Sequence, residues 1–312
     1  MYSFDKNYWA LIIGGSSGFG LATAHKLANH GMNICIVHRD RRASMRHIEP
    51  SFEVLRKTGV AVLTFNLDAL SSEGRNQVLD TLSAKLSDNG KVRLVLHSLA
   101  FGNLKLMAPF VRPDASEIII KKMAETLNID ENALADTIQN LFDEGHDPLY
   151  TLSRKPEYAN DMLLDESDFS RTLHAMGYNI IEWVRDIHQK SLFSENSRVL
   201  SLTSEGNHIA WRSYAAVSAA KAVLESVSRS MAVEYAPYGV RTNVIQAGVT
   251  DTAALRAIPG STHIRANARL RNPCGRLTTP EDVANVIYLL CMDESAWVNG
   301  SLICVDGGER IG

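Results

Sequence analysis

The chain is short of several features that would place it quickly. Its 312 residues include four cysteines, Cys35, Cys274, Cys291 and Cys304, and no two of them form a C-x-x-C pair. That scatter argues against a disulfide framework or a zinc site and for reduced thiols. Charge of one sign is not in excess either: 32 Lys and Arg stand against 35 Asp and Glu, a net of −3. A nucleic-acid binder carries a basic surplus, so no nucleic-acid partner is expected. No apolar run approaches the length of a membrane span. The opening, MYSFDKNYWALIIGG, puts Asp5 and Lys6 ahead of an apolar run, which is not the basic-then-apolar order of a signal peptide. A cytoplasmic chain without a metal is therefore expected. No Pro/Gly/Ser-rich linker divides it, so one large domain is expected over residues 1–312.

What is present is a rhythm. Short β-branched runs alternate with helical-period segments: WALII then GLATAHKLANHG, NICIV then the stretch near 43–58, AVLTF then EGRNQVLDTLSAKL, and VRLVLH after that. Strand, helix, strand at these lengths implies right-handed crossovers and an α/β fold, a doubly wound parallel sheet of the Rossmann type. The rhythm resumes with SRVLSLTS, a long helix from 215 to 235, VRTNVIQAG, a helix opened by TTPEDV, and a last strand SLICVDGG. Thr279, Pro280 and Asp282 are spaced as a helix cap followed by proline at the first helical position. Between about 104 and 172 the rhythm breaks into two or three short helices, a helical insertion with seven basic and fourteen acidic residues. It reads either as a solvated cap or as a lid over a substrate.

ALIIGGSSGFGLATAHKL sets Gly14, Gly18 and Gly20 between a strand and a helix. Glycines allow the tight turn and let backbone N–H groups and the helix N-terminus approach a pyrophosphate, so Gly14, Ser16, Ser17, Gly18, Phe19 and Gly20 are candidate dinucleotide contacts. The second strand ends in HRDRR. An NAD site wants an acid near this position for the ribose hydroxyl, whereas His38 and Arg39 stand there, and a guanidinium suits a 2′-phosphate. NADPH is favoured over NADH, although Asp40 leaves room for Arg39, Arg41 and Arg42 merely to solvate a loop. Asp68, followed by Ala69, falls where a side chain meets the adenine or caps the next helix.

On these residues the chain resembles the short-chain dehydrogenase/reductase family nearly everywhere outside the insertion. RTNVIQAGVTDT is similar to the family's sixth-strand segment, which puts Thr250 and Thr252 on the cofactor, and the stretch from CGRLTTPEDV to VDGG is similar to its C-terminal third. Three departures resemble the enoyl-acyl-carrier-protein reductase branch. Tyr214 and Lys221 are separated by six residues where most of the family has three, with Val217 at the usual tyrosine position. LHSLAFG replaces the common Asn-Asn-Ala-Gly motif, and Ala247 replaces a proline.

The resemblance implies Tyr214 at the substrate carbonyl, Lys221 on the nicotinamide ribose and Ser98 on the cofactor. His97 is expected to pack and support the nicotinamide loop. Ser204 stands where ordinary members carry a catalytic serine, and Met176 lies near the place of their relay asparagine, with Asn179 close by. The implied function is NADPH-dependent reduction of the double bond of a trans-2-enoyl thioester carried by acyl carrier protein or coenzyme A. Two alternatives stay open: a carbonyl or 3-ketoacyl reductase, and a non-catalytic NADP(H)-binding protein. Phe101, Trp211 and Leu255, with Met107 and Phe110, are candidates either for an acyl-chain lining or for core. Arg256, Arg265, Arg269 and Arg271 form either a docking patch for acyl carrier protein or a solvated basic face. The small-residue helix from 215 to 235 implies, by resemblance, a homotetramer or homodimer.

Overall fold

The computed structural model describes residues 3–86, 90–111 and 115–312. Seven strands among them form one sheet: β1 (Tyr8–Ile13), β2 (Asn33–His38), β3 (Val62–Asn66), β4 (Lys91–His97), β5 (Phe193–Ser204), β6 (Val240–Ala247) and β7 (Leu302–Val305). Their spatial order is β3-β2-β1-β4-β5-β6-β7 and every pairing is parallel. This is the doubly wound sheet that the alternating pattern predicts. Chain direction across the sheet reverses between β1 and β4, and that switch point opens a crevice at the C-terminal strand ends.

Helices α1 (Gly18–Ala28), α2 (Arg42–Arg56) and α11 (Pro280–Leu290) cover one face, where Ile12, Ile34, Leu96 and Ile245 meet Leu27, Phe52 and Ile287. Helices α3 (Ser72–Lys85), α7 (Asn179–Gln189) and α8 (Ala215–Glu234) cover the other, where Leu11, Val37, Val95 and Val199 meet Leu79, Trp183 and Leu224. Each fully buried aliphatic side chain contributes roughly 1.5–3 kcal/mol. Period-two alternation along the strands sends successive side chains to the two cores, which is why these segments read as nearly continuous apolar runs.

Two strand residues break that run. Arg93 and Arg198 are each 1% exposed, and both reach the last turn of α11. Arg93 Nη2 donates to Cys291 O at 2.7 Å and to Asp293 Oδ1 at 2.8 Å. Arg198 donates to Leu290 O at 2.7 Å and Met292 O at 3.0 Å. The carbonyls that a helix end leaves unpaired are thus bonded from the sheet. Burial and the neighbouring Arg93 charge pull Arg198 down to about 10.

The insertion supplies α4 (Ala115–Leu127) and α5 (Glu131–Asp143), then a 3-10 turn, Asp147–Thr151. Its expected boundary at 172 falls inside a continuous helical run: α6 (Glu166–Leu173) passes through a π-helical turn, His174–Tyr178, into α7. The run is anchored at its start by Asp165, whose side chain accepts from Asp168 N. Beyond β6 the chain forms α9 (Ala253–Arg256) and α10 (Ser261–Arg271).

The capping box at α11 forms as its spacing predicts: Thr279 Oγ1 accepts from Asp282 N at 3.2 Å and Asp282 Oδ2 from Thr279 N at 2.9 Å. Arg276 pairs with the same carboxylate and, with the cap bonds, holds it well below the usual carboxylate range. Thr279→Ala is expected to lower the unfolding free energy by about 1 kcal/mol in urea melts. A depressed carboxyl stabilises the fold above its unfolded value and loses that contribution as pH falls. The wild-type advantage should therefore persist at neutral pH and fade only in acid.

Candidate active site

The nucleotide turn has the geometry its glycines permit. Gly14 has φ 92° and Gly18 φ 53°, a region costly for other residues. A Cβ on Gly14 would lie 2.5 Å from Ser98 O, and one on Gly20 2.2 Å from Gly14 O. Ser17 precedes α1 without a side-chain cap bond, and the first turn carries no acid. The N-terminal N–H groups are therefore presented toward an anion. Ser16 is partly buried and Ser17 exposed on the rim of the turn, while Phe19 faces the crevice.

At the end of β2, His38 turns inward: it packs edge-on to Phe52, and its Nδ1 lies 2.9 Å from Asp40 Oδ2. Its side chain faces the core, not the nucleotide. Arg39 is exposed and reaches Asp68 Oδ2 at 3.2 Å. Asp68 also accepts from Leu70 N, while Ser71 caps α3, so capping falls to Ser71. Ala69 is buried, and its carbonyl accepts from Trp183 Nε1 at 3.0 Å.

A cavity of about 180 Å³ opens at the C-terminal ends of β4, β5 and β6. Its wall includes Phe19, Ser98, Thr250, Thr252, Ser204, Trp211, Tyr214, Lys221 and Leu255. Thr252 caps α9, accepting from Leu255 N at 3.2 Å, and this brings Leu255 to the wall. Phe101, 53% exposed, lies outside the lining, and Met107 is exposed too. Phe110 packs on Tyr158 and under Arg212. Sequence reasoning missed Ile258, Glu205 and Leu104 on the wall. Val217 and Met176 also line it as apolar surface. Val217, three after Tyr214 and four before Lys221, could have been found from helical spacing; Ile258 depends on the fold-back of α9 and has no local signal. Asn179 is fully buried and outside the lining.

Tyr214 occupies the N-cap position of α8, just after Ser213 at φ 57°. Its ring packs on Trp211 at 5.1 Å between centroids, and its hydroxyl lies 3.4 Å from Ser204 Oγ. Burial raises the phenol above its ordinary pKa, with the Ser204 bond opposing, so it stays protonated and able to donate. Lys221 is two helical turns on, and its Nζ donates to Leu202 O at 2.7 Å. Burial lowers the ammonium to about 8, with the Glu225 charge opposing.

Among the described residues of 104–172, Leu104 alone lines the cavity, and α4 and α5 add nothing to its wall. The insertion instead braces α10 from behind. Asp147 forms a bidentate pair with Arg269, Ser153 Oγ lies 2.9 Å from His263 Nε2, and Phe142 packs on the same imidazole. The four arginines read as either a docking patch or a solvated face are each paired within the chain: Arg256 and Arg265 with Asp251, Arg269 with Asp147, Arg271 with Glu205 and Glu309.

A buried ammonium whose hydrogen bond goes to a backbone carbonyl has charge to offer a ligand, and this one lines the same cavity as Phe19 of the glycine turn. A family profile described as Enoyl-(Acyl carrier protein) reductase matches residues 154–309, and one described as KR domain matches residues 9–137. The chain belongs to the short-chain dehydrogenase/reductase family.

Among its relatives is the Enoyl-[acyl-carrier-protein] reductase [NADH] FabI of Escherichia coli K12, 37% identical over 122 residues, which are 39% of this chain and 47% of that one. The Cis-4-hydroxycyclohexanecarboxylate dehydrogenase of Sinomonas cyclohexanicum is 42% identical over 91 residues, 29% of this chain and 36% of that one. The chain therefore spans half or less of these two relatives' length. The 7alpha-hydroxysteroid dehydrogenase of Paraclostridium sordellii is 23% identical over 98% of this chain and 93% of its own. The crystal structure of FabI from Candidatus Liberibacter asiaticus superposes with a TM-score of 0.71 at 19% identity, covering 100% of this chain and 98% of that one.

NAD(P)H affinity, followed by nicotinamide fluorescence, is expected to hold steady below about pH 8 and to weaken above it, as Lys221 loses its charge. An affinity unchanged well into the alkaline range would show that the ammonium does not hold the cofactor.

Proposed function

We propose that the protein reduces the carbon–carbon double bond of a trans-2-enoyl thioester with NADPH. The observation that carries this reading is Tyr214: a phenol held protonated at the wall of an apolar cavity, one turn ahead of Val217, which lies where the common family pattern has its tyrosine. The turn from Gly14 to Gly20 and the N-terminus of α1 would hold the pyrophosphate, Lys221 the nicotinamide ribose, and Ser98, Thr250 and Thr252 the nicotinamide end. The bound cofactor supplies the hydride. As hydride adds to the β-carbon, negative charge develops on the thioester oxygen, and the Tyr214 hydroxyl donates to that oxygen. Leu255, Trp211, Met176 and Val217 would exclude water around the acyl chain. Arg39 supports NADPH over NADH. It is the exposed cation at the end of β2, while Asp40, the nearby acid, is drawn aside by His38.

One observation favours a second reading. Ser204 Oγ, 3.4 Å from the Tyr214 hydroxyl, could support a ketone oxygen, and the full-length relatives include the hydroxysteroid dehydrogenase. Steady-state rates with NADPH and either a trans-2-enoyl or a 3-ketoacyl thioester, each on acyl carrier protein and on coenzyme A, distinguish the two. The enoyl substrate is expected to turn over faster; turnover of the ketone alone would overturn the proposal.

Tyr214→Phe should lose roughly 10²–10³ in kcat, the usual effect of removing one donor to a developing oxyanion, while binding NADPH normally. Arg39→Glu should shift the NADPH-over-NADH preference by about tenfold or more toward NADH, matching the loss of a charge-assisted hydrogen bond. An unchanged preference would remove Arg39 from cofactor selection.

A further inference from the structure

Two buried polar atoms near Lys221 have no hydrogen-bond partner among the described residues: His97 Nε2 and Ser201 Oγ. His97 and Ser201 are register partners across β4 and β5, so their side chains leave the same face of the sheet side by side. They are 1% and 0% exposed. Their face is the one roofed by α7 and α8, since Val95 and Val199, two residues earlier on each strand, pack there. Lys221 descends from α8 to the same level, bonding the carbonyl of Leu202, the residue after Ser201. The π-helical turn also approaches here, with its Ala175 carbonyl beside the His97 ring. A neutral imidazole with its hydrogen on Nδ1 leaves the unpartnered Nε2 a bare acceptor.

A bare imidazole nitrogen, a hydroxyl that both donates and accepts, and an ammonium with donors to spare are the two to four polar partners that an internal water requires. We propose that His97 is a positioning residue for Lys221: with Ser201 it holds an internal water that accepts from the ammonium and keeps that group cationic.

The surroundings leave few other groups for this task. Glu225, one turn along α8, attracts the ammonium, but its carboxylate already accepts from Thr203 Oγ1 and Asn207 Nδ2. The Tyr214 phenol at the cavity wall is uncharged. Leu202 offers one carbonyl. His97 itself cannot become a competing cation in the working range, because burial and the Lys221 charge hold it down to about 3.

The test needs no substrate and so does not depend on which bond the enzyme reduces. Competitive labelling of the folded, cofactor-free protein with acetic anhydride, with the Lys221 peptide quantified by mass spectrometry, gives the midpoint for ammonium deprotonation. Wild type is expected near 8. In His97→Leu the midpoint should fall by about one unit, the effect of losing a hydrogen-bonded acceptor. His97→Asn, which restores an acceptor, should recover most of the shift. Ser201→Ala, a smaller change should His97→Leu fold poorly, should move the midpoint in the same direction. A midpoint unmoved in His97→Leu or Ser201→Ala would overturn the proposal. Equal shifts in His97→Leu and His97→Asn would also overturn it, since they would make the effect one of packing.

Discussion

The bond from Lys221 Nζ to the Leu202 carbonyl holds the site in register with the sheet. An ammonium is costly to bury unless hydrogen-bonded, so α8 must lie where that side chain can reach the end of β5. Tyr214 stands at the entrance to α8, Val217 faces the cavity between the two, and Ser204 ends the strand whose carbonyl Lys221 bonds. The two polar side chains divide the electrostatic task. Burial lowers the lysine only to about 8 and holds the phenol protonated, so at neutral pH one supplies positive charge and the other a hydrogen-bond donor.

Stability is invested behind this contact. Arg93 and Arg198 tie the middle of the sheet to the last carbonyls of α11, and the capping box fixes that helix at its other end. On the opposite flank the acidic insertion, which could have been a lid, holds α10 by ion pair and aromatic contact. Leu255 and Ile258, just ahead of α10, therefore stand on a wall braced from outside the cavity.

Much of this was legible in the sequence because it rests on local rules. Alternating runs with glycine punctuation yield a parallel sheet, and the turn they mark has no room for a side chain at Gly14 or Gly20 and a left-handed backbone at Gly18. The Tyr214–Lys221 spacing placed two residues of one cavity, since a helical period can be counted by eye. What was not legible depends on contacts distant in sequence. His38 sits where a cofactor ligand would, yet its burial against Phe52 decides its direction. Of the four arginines after Thr252, Arg269 and Arg271 are paired with Asp147, Glu205 and Glu309, which come from elsewhere in the chain. The π-helical turn at His174–Tyr178 shows no period of its own, and it is what joined part of the expected insertion to α7.

The central claim is that the phenol of Tyr214 receives charge from a thioester whose β-carbon takes the hydride. Reduction of a trans-2-enoyl thioester with NADPH carrying deuterium at the transferable position, followed by mass spectrometry and NMR of the product, tests it most directly. The account predicts one deuterium on the β-carbon of a saturated thioester. Deuterium found instead only on the carbinol carbon of a reduced 3-ketoacyl thioester, with the enoyl substrate returned unlabelled, would contradict it.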